Sequence, residues 1–186
     1  MVGFHGTSAA GAKMIADSTY TVSSSPEDWL GSGVYFFIDG IACPIKSASE
    51  WARNKFDQHS AAIVKSTITV PEEKVLDLTN VAGLARYDAV RIQFLERNKL
   101  QLSQRRDLAV KKRKDIRLDD RIVTEAVCAE LGIAVLIHNV YIKNALQREL
   151  IMESSYPNAT VCSVRDVSFI KTNEIVPPHP DFDLEQ

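Results

Sequence analysis

The sequence predicts a single-domain α+β fold built on mainly antiparallel strands, and three observations carry that prediction. The chain has 186 residues, the span of one domain. Its strand-like segments cluster towards the two ends, with the longest helical patterns between them. The elements also lack the strict β-α-β alternation that calls for a parallel sheet.

Taken in order, "VGFHGT" reads as a short apolar strand. "SAAGAKMIADS" follows as a helix, with Ala9, Ala12, Ile15 and Ala16 at helical spacing and Thr7 or Ser8 as N-cap. "TYTVS" is β-branched and reads as a strand, "SSSPEDWLGSG" as a turn-rich loop, and "VYFFI" as a buried strand. A helix is expected over 46–56, with Ala48, Trp51, Ala52 and Phe56 on one side. "AAIVKSTITV" (61–70) and "KVLDL" (74–78) are strands separated by Pro71. A long helix over about 81–98 shows an apolar stripe of Leu84, Tyr87, Val90, Phe94 and Leu95. Residues 99–118 are polar and basic. Residues 119–131 form a further helix, opened by Asp119 and Asp120 and stopped by Gly132. Strands are expected at 134–142, 148–152 and 159–170, and "VPPHPDFDLEQ" reads as an irregular end.

Composition narrows the function classes. With 45% apolar and 25% charged residues the chain reads as an ordinary soluble domain, and a domain of this size buries roughly 70% of its unfolded surface. A net charge of −2 leaves no overall basic footprint, so a nucleic-acid partner would need a local patch. Cys43, Cys128 and Cys162 are odd in number, widely spaced and without a CxxC. This argues against a disulfide framework or zinc knuckle and for a reducing, cytoplasmic setting. Cys128 and Cys162, with apolar neighbours, read as packing thiols. His59, His138 and His179 show no ligand spacing, so no metal site is expected. No secretory signal opens the chain, and its longest apolar runs are too short to span a membrane.

Single motifs decide little. His5 alone fits a core histidine bonded to backbone, and Gly31-x-Gly33 lacks the third glycine of a dinucleotide fingerprint and runs into a strand. GxSxG, P-loop and HExxH patterns are all missing. The combination of "FHGT" (4–7), "GSGVYFF" (31–37) and "KSA" (46–48) is more specific. It resembles the ADP-ribosyltransferase superfamily, in the His-Tyr-Glu branch shared by poly(ADP-ribose) polymerases and diphtheria-type toxins. The likeness covers roughly the first 50 residues strongly and the C-terminal strands loosely; residues 80–130 find no counterpart.

That resemblance implies a split pair of antiparallel sheets around an NAD cleft, in one domain over 1–176 with a helical insertion at about 80–131 and a tail over 177–186. NAD would be the substrate. His5 would hydrogen-bond a ribose hydroxyl on the adenosine side, and Gly6 would clamp the nicotinamide carboxamide through its backbone. Thr7 or Ser8 would support that turn or touch the ribose. Tyr35 would stack on the nicotinamide, Ser47 would bond its carboxamide, and Gly33 would allow close backbone approach. Trp51 would close the other face of the ring, or else pack the core.

The third triad member is where the chain departs from the pattern. The late strand "TVCSVRDVSFI" puts Thr160 or Val161 where a glutamate should stand. Glu149 or Glu153 from "QRELIMESS" could supply the carboxylate, with Glu153 taken as the catalytic candidate. Alternatively the chain is a triad variant, or it carries an inactivating change.

The stretch 105–117 holds seven Lys or Arg against two Asp. It reads as a solvated linker or helix face, or as a contact for RNA or DNA phosphates or an acidic antitoxin protein. The function implied is transfer of ADP-ribose from NAD to a macromolecular acceptor, in an intracellular bacterial or phage-related toxin. The rivals are an NAD glycohydrolase, a related-fold tRNA 2′-phosphotransferase, and an inactive NAD- or ADP-ribose-binding module.

Overall fold

The computed structural model describes residues 1–180 except 26, 27, 29, 57–59, 105–113 and 153. It is an α+β protein on one seven-stranded mixed sheet. The strands are β1 (Val2–Ser8), β2 (Val34–Ile38), β3 (Ala61–Ile68), β4 (Val75–Asp77), β5 (Val135–Val140), β6 (Ala159–Val164) and β7 (Ile170–Val176). Their order across the sheet is β4-β5-β6-β2-β1-β3-β7. All neighbours are antiparallel except β4 and β5, which are parallel.

The helices are α1 (Ala9–Asp17), α2 (Pro44–Lys55), α3 (Val81–Arg97), α4 (Lys99–Gln104), α5 (Lys114–Leu131) and α6 (Ala145–Glu149). The helices expected over about 81–98 and 119–131 lie in the connection α3-α4-α5 between β4 and β5. Parallel neighbours need such a crossover, because a tight hairpin cannot reverse the chain twice. Tyr87 of α3 and Thr124 of α5 share a 3.1 Å hydroxyl contact within it.

Alternation along the strands sends successive residues to opposite faces. Phe36, Val64, Ile68, Cys162 and Val164 form one core layer with Ala12 and Ile15 of α1 and with Tyr20. Phe37, Ile63, Leu136 and Val161 form the other with Ala48 and Ala52 of α2 and Val127 and Cys128 of α5. Helices on both faces explain why "VYFFI" is apolar throughout. Burial pushes the Cys128 thiol up to about 11, as expected of a packing residue.

Several expectations are corrected. "TYTVS" is not a strand; only an isolated bridge between Ser23 and Gly33 lies there. Residues 148–152 are not a strand either. Asn144 and Gln147 form a capping box that nucleates α6, and Leu150, Ile151 and Met152 beyond it are exposed. The strand placed over 159–170 ends at Val164, and a 3₁₀ turn (Val167–Phe169) hands the chain to β7. Helix α5 starts five residues earlier than its sequence signals, at Lys114. Residues 105–113 and Glu153 lie outside the described residues. Among the described residues no helix is long and apolar enough to cross a membrane.

Candidate active site

Where the sequence resemblance implies two sheets, the structure has one, joined at a narrow seam. The β1–β2 ladder consists of Gly3↔Ile38 and Phe4↔Phe37 alone, whereas β1 pairs with β3 over its full length, Val2 to Ser8.

Backbone phase shows what the seam leaves open. Met1 accepts from the N–H of Ile68 (2.8 Å) and the Ala9 N–H donates to Ser60 (2.5 Å), both on the β3 side. Odd-numbered residues of β1 therefore address β3, and even-numbered ones address β2. On β6, Arg165 donates to Ala134 at 2.8 Å, so the even residues of β6 face β2. In the β2–β6 register this turns Phe37 and Tyr35 towards β1. The rung after Phe4↔Phe37 would join Gly6 to Tyr35, and it is not made.

His5 occupies that place. Its Nδ1 lies 2.8 Å from the Tyr35 carbonyl, the acceptor a further rung would have given to Gly6. By the backbone phase the Gly6 N–H and C=O face β2, with which Gly6 forms no rung. Burial lowers the His5 pKa, partly offset by this carbonyl bond, and the Lys55 charge lowers it further. The ring is thus neutral at pH 7 with its proton on Nδ1, which makes Nε2 an acceptor. The ring is held edge-on by Tyr20 (centroids 5.3 Å apart) and Phe36 (5.9 Å). Tyr20 is itself fixed by a 2.8 Å bond to Ser66.

Gly6 is small for a second reason. A Cβ there would collide with the Ala48 carbonyl of α2 and stand 3.2 Å from Ala52. Helix α2 therefore lies directly on the strand. Thr7 and Ser8 are used locally: Ser8 Oγ caps α1 by accepting from the Gly11 N–H (3.1 Å), and Thr7 Oγ1 crowds the same glycine.

Tyr35 shares its backbone with His5, but the two rings go to opposite faces. Tyr35 packs into the α2 layer, and His5 into the Tyr20–Phe36 layer. The Tyr35 hydroxyl donates to the Gly31 carbonyl (2.8 Å) and accepts from the Leu30 N–H (3.1 Å). Burial and the nearby Asp28 charge raise its pKa, so it stays protonated.

The turn it grips is built on Gly31, at φ +78°, and is pinned from below. Glu125 of α5 accepts from the Ser32 N–H and pairs with Arg165. Burial alone would raise the Glu125 pKa, but Ser32 and Arg165 outweigh it and hold it down. The close approach at Gly33 is to Ser163 of β6.

Ser47 and Trp51 adjoin Ala48 and Ala52 in sequence. They line a shallow cleft of about 30 Å³ with Phe37, Glu50, Ile142, Asn158 and Ala159. Trp51 also packs against the α2-side core, as its packing reading expects, and the Lys55 ammonium sits 5.7 Å from its ring centre.

No carboxylate comes from β6. Thr160 is buried, accepts from the Ile41 N–H (3.0 Å) and donates to Asn139 (2.7 Å); Val161 is core. Glu149 is exposed at the end of α6, and Glu153 is outside the described residues. Sequence reading missed Glu50, whose position three residues after Ser47 puts it on the same side of the helix. It missed the Glu125–Arg165 pair entirely, since no local pattern links residues 40 apart. Among the described residues no group of three or more His, Cys, Asp or Glu is placed to hold a metal ion. Compared with family models, with curated proteins and with solved structures, the chain finds no match in any of the three.

Proposed function

We propose that the chain is an ADP-ribosyltransferase of the His-Tyr-Glu type, which cleaves the nicotinamide–ribose bond of NAD and passes ADP-ribose to a macromolecule. The observation that carries this reading is the open seam. A backbone N–H and C=O side by side at Gly6, facing β2 where no rung is formed, match the acceptor and donor of a carboxamide, and His5 takes the carbonyl that rung would use. Nε2 of His5 would accept from a ribose hydroxyl. Ser47 and Trp51 border a cleft beside the same helix, and the Lys55 charge near His5 and Trp51 suits a ligand bearing phosphates. The fold proposed is accordingly the ADP-ribosyltransferase fold, with its split located between β1 and β2.

Catalysis on this reading is chiefly positioning, with the dinucleotide gripped at both ends so that the glycosidic bond is presented to its acceptor. The acceptor class, the basic stretch as an RNA or DNA contact and a neutralising antitoxin belong to this proposal as expectations. The test is nicotinamide release from NAD, run alone and with RNA, DNA or protein added. Release that rises with one macromolecule supports the transferase; equal release in buffer makes the protein an NAD glycohydrolase. A second reading, a binding module without turnover, is favoured by the engaged hydroxyl of Thr160 and the buried Val161 at the start of β6.

A further inference from the structure

We infer that the exposed face of α3 is a self-association surface, on which a second copy of this chain lays its own α3 antiparallel about a two-fold axis. The inference goes beyond the NAD reading and does not rest on it. Helix α3 runs 17 residues, about 25 Å, and none of them is buried. Tyr87 and Val90 pack against the core, and the Tyr87 hydroxyl meets Thr124 of α5. Leu84 and Leu95, which the sequence places in the same stripe, stay exposed together with Val81 and Ile92.

At about 100° per residue, Val81, Leu84, Asp88, Ile92 and Leu95 fall within an arc of about 80°, with Arg91 at its edge. Their spacing is that of a heptad seam. Val81, Asp88 and Leu95 recur at the heptad interval, and Leu84 and Arg91 take the position three residues further on. The side of α3 turned away from the core thus carries large apolar side chains where a solvated helix would be polar, and Val81 is 83% exposed. Asp88 and Arg91 interrupt the seam at its middle, joined by the Arg91 Nε donating to the Asp88 carboxylate (2.7 Å).

The order of these residues selects the partner. A two-fold axis crossing α3 between Ala89 and Val90 sets Asp88 opposite Arg91 of the second copy, and Leu84 opposite its Leu95. Symmetry makes each contact twice. The centre becomes a ring of carboxylates and guanidiniums of alternating sign, flanked on both sides by Leu–Leu layers. Parallel pairing would instead set Asp88 on Asp88 and Arg91 on Arg91, which like-charge repulsion opposes. A polar layer inside an apolar seam fixes register and orientation at a cost in stability. An unrelated apolar partner would desolvate Asp88 and Arg91 without giving either a new counter-charge. Charge complementarity therefore favours a copy of the same helix.

Sedimentation equilibrium of the full chain, from micromolar to near-millimolar concentration, reads the self-association, with folding checked by circular dichroism. The wild type should form a dimer. Asp88→Arg and Arg91→Asp should each weaken it by at least about 10-fold, because each sets like charges face to face at two symmetric places. Combining the two substitutions in one chain should restore the dimer. Mixing the two single variants should restore it as well, since their seams then carry opposite charge. A wild type that stays monomeric throughout overturns the inference. So does a dimer that both single variants leave unchanged, which would use another surface, and so does a folded double variant that remains monomeric.

Discussion

Replacing His5 by phenylalanine isolates what the imidazole does at the seam. A phenyl ring keeps the edge contacts with Tyr20 and Phe36 and deletes the Nδ1 donor to Tyr35 together with the Nε2 acceptor. If the seam stayed open, the Tyr35 carbonyl would lose its partner, and an orphaned buried acceptor costs about 1–3 kcal/mol. In a domain of this length that lowers Tm by roughly 2–12 °C. The backbone phase offers an alternative partner, because Gly6 stands where the next rung would form. We therefore expect β2 to close on β1 by one rung, with a net change below about 1 kcal/mol. Amide exchange at Gly6 should slow markedly, Tm should move by no more than about 4 °C, and NAD binding should disappear. Hydrogen exchange followed by NMR reads the first, and calorimetry the other two. A Gly6 amide that exchanges as fast as in the wild type, together with a large fall in Tm, would refute the view of His5 as a wedge.

Three further outcomes are expected. Gly6→Ala drives a methyl group into the Ala48 carbonyl, an overpacking of about 3 kcal/mol, so thermal denaturation should show Tm lower by roughly 6–12 °C; an unchanged Tm would mean α2 does not lie on β1 as described. Glu125→Ala removes the partner of Arg165 and of the Ser32 N–H. Because Glu125 is a third exposed, about 2–3 kcal/mol is expected by chemical denaturation, less than for a fully buried pair, with a looser Tyr35 turn seen as weaker NAD binding. His5 and His138 both have pKa values lowered by burial, so the unfolded chain binds more protons than the folded one below pH 6.5. Stability should be full above that pH and decline as pH falls below it, whereas NAD binding should decline only at a lower pH, where Nε2 of His5 in the folded protein takes up its proton. Denaturant titrations and calorimetry between pH 5 and 8 check both.

The legible parts of the sequence are those where a local rule has one solution. "VYFFI" reads as a buried strand and is one, and Ser8, one of the two N-caps the sequence offers for α1, caps it through its own side chain. His5, Gly6, Ser47 and Tyr35 were visible as motif residues, but not how the fold places them. The missing rung depends on the register of three strands, and no single segment carries it. The parallel β4–β5 pair was hidden for the same reason, since direction is set by a crossover more than 50 residues long. Residues 148–152 misled because Leu150, Ile151 and Met152 look like a strand while the Asn144 cap just before them starts a helix.

The most direct test of the account is nicotinamide release from NAD by the purified wild-type chain, measured beside His5→Phe with folding monitored in both. The account predicts release by the wild type and no NAD binding by His5→Phe. Wild-type protein that is folded and neither binds nor cleaves NAD would contradict it.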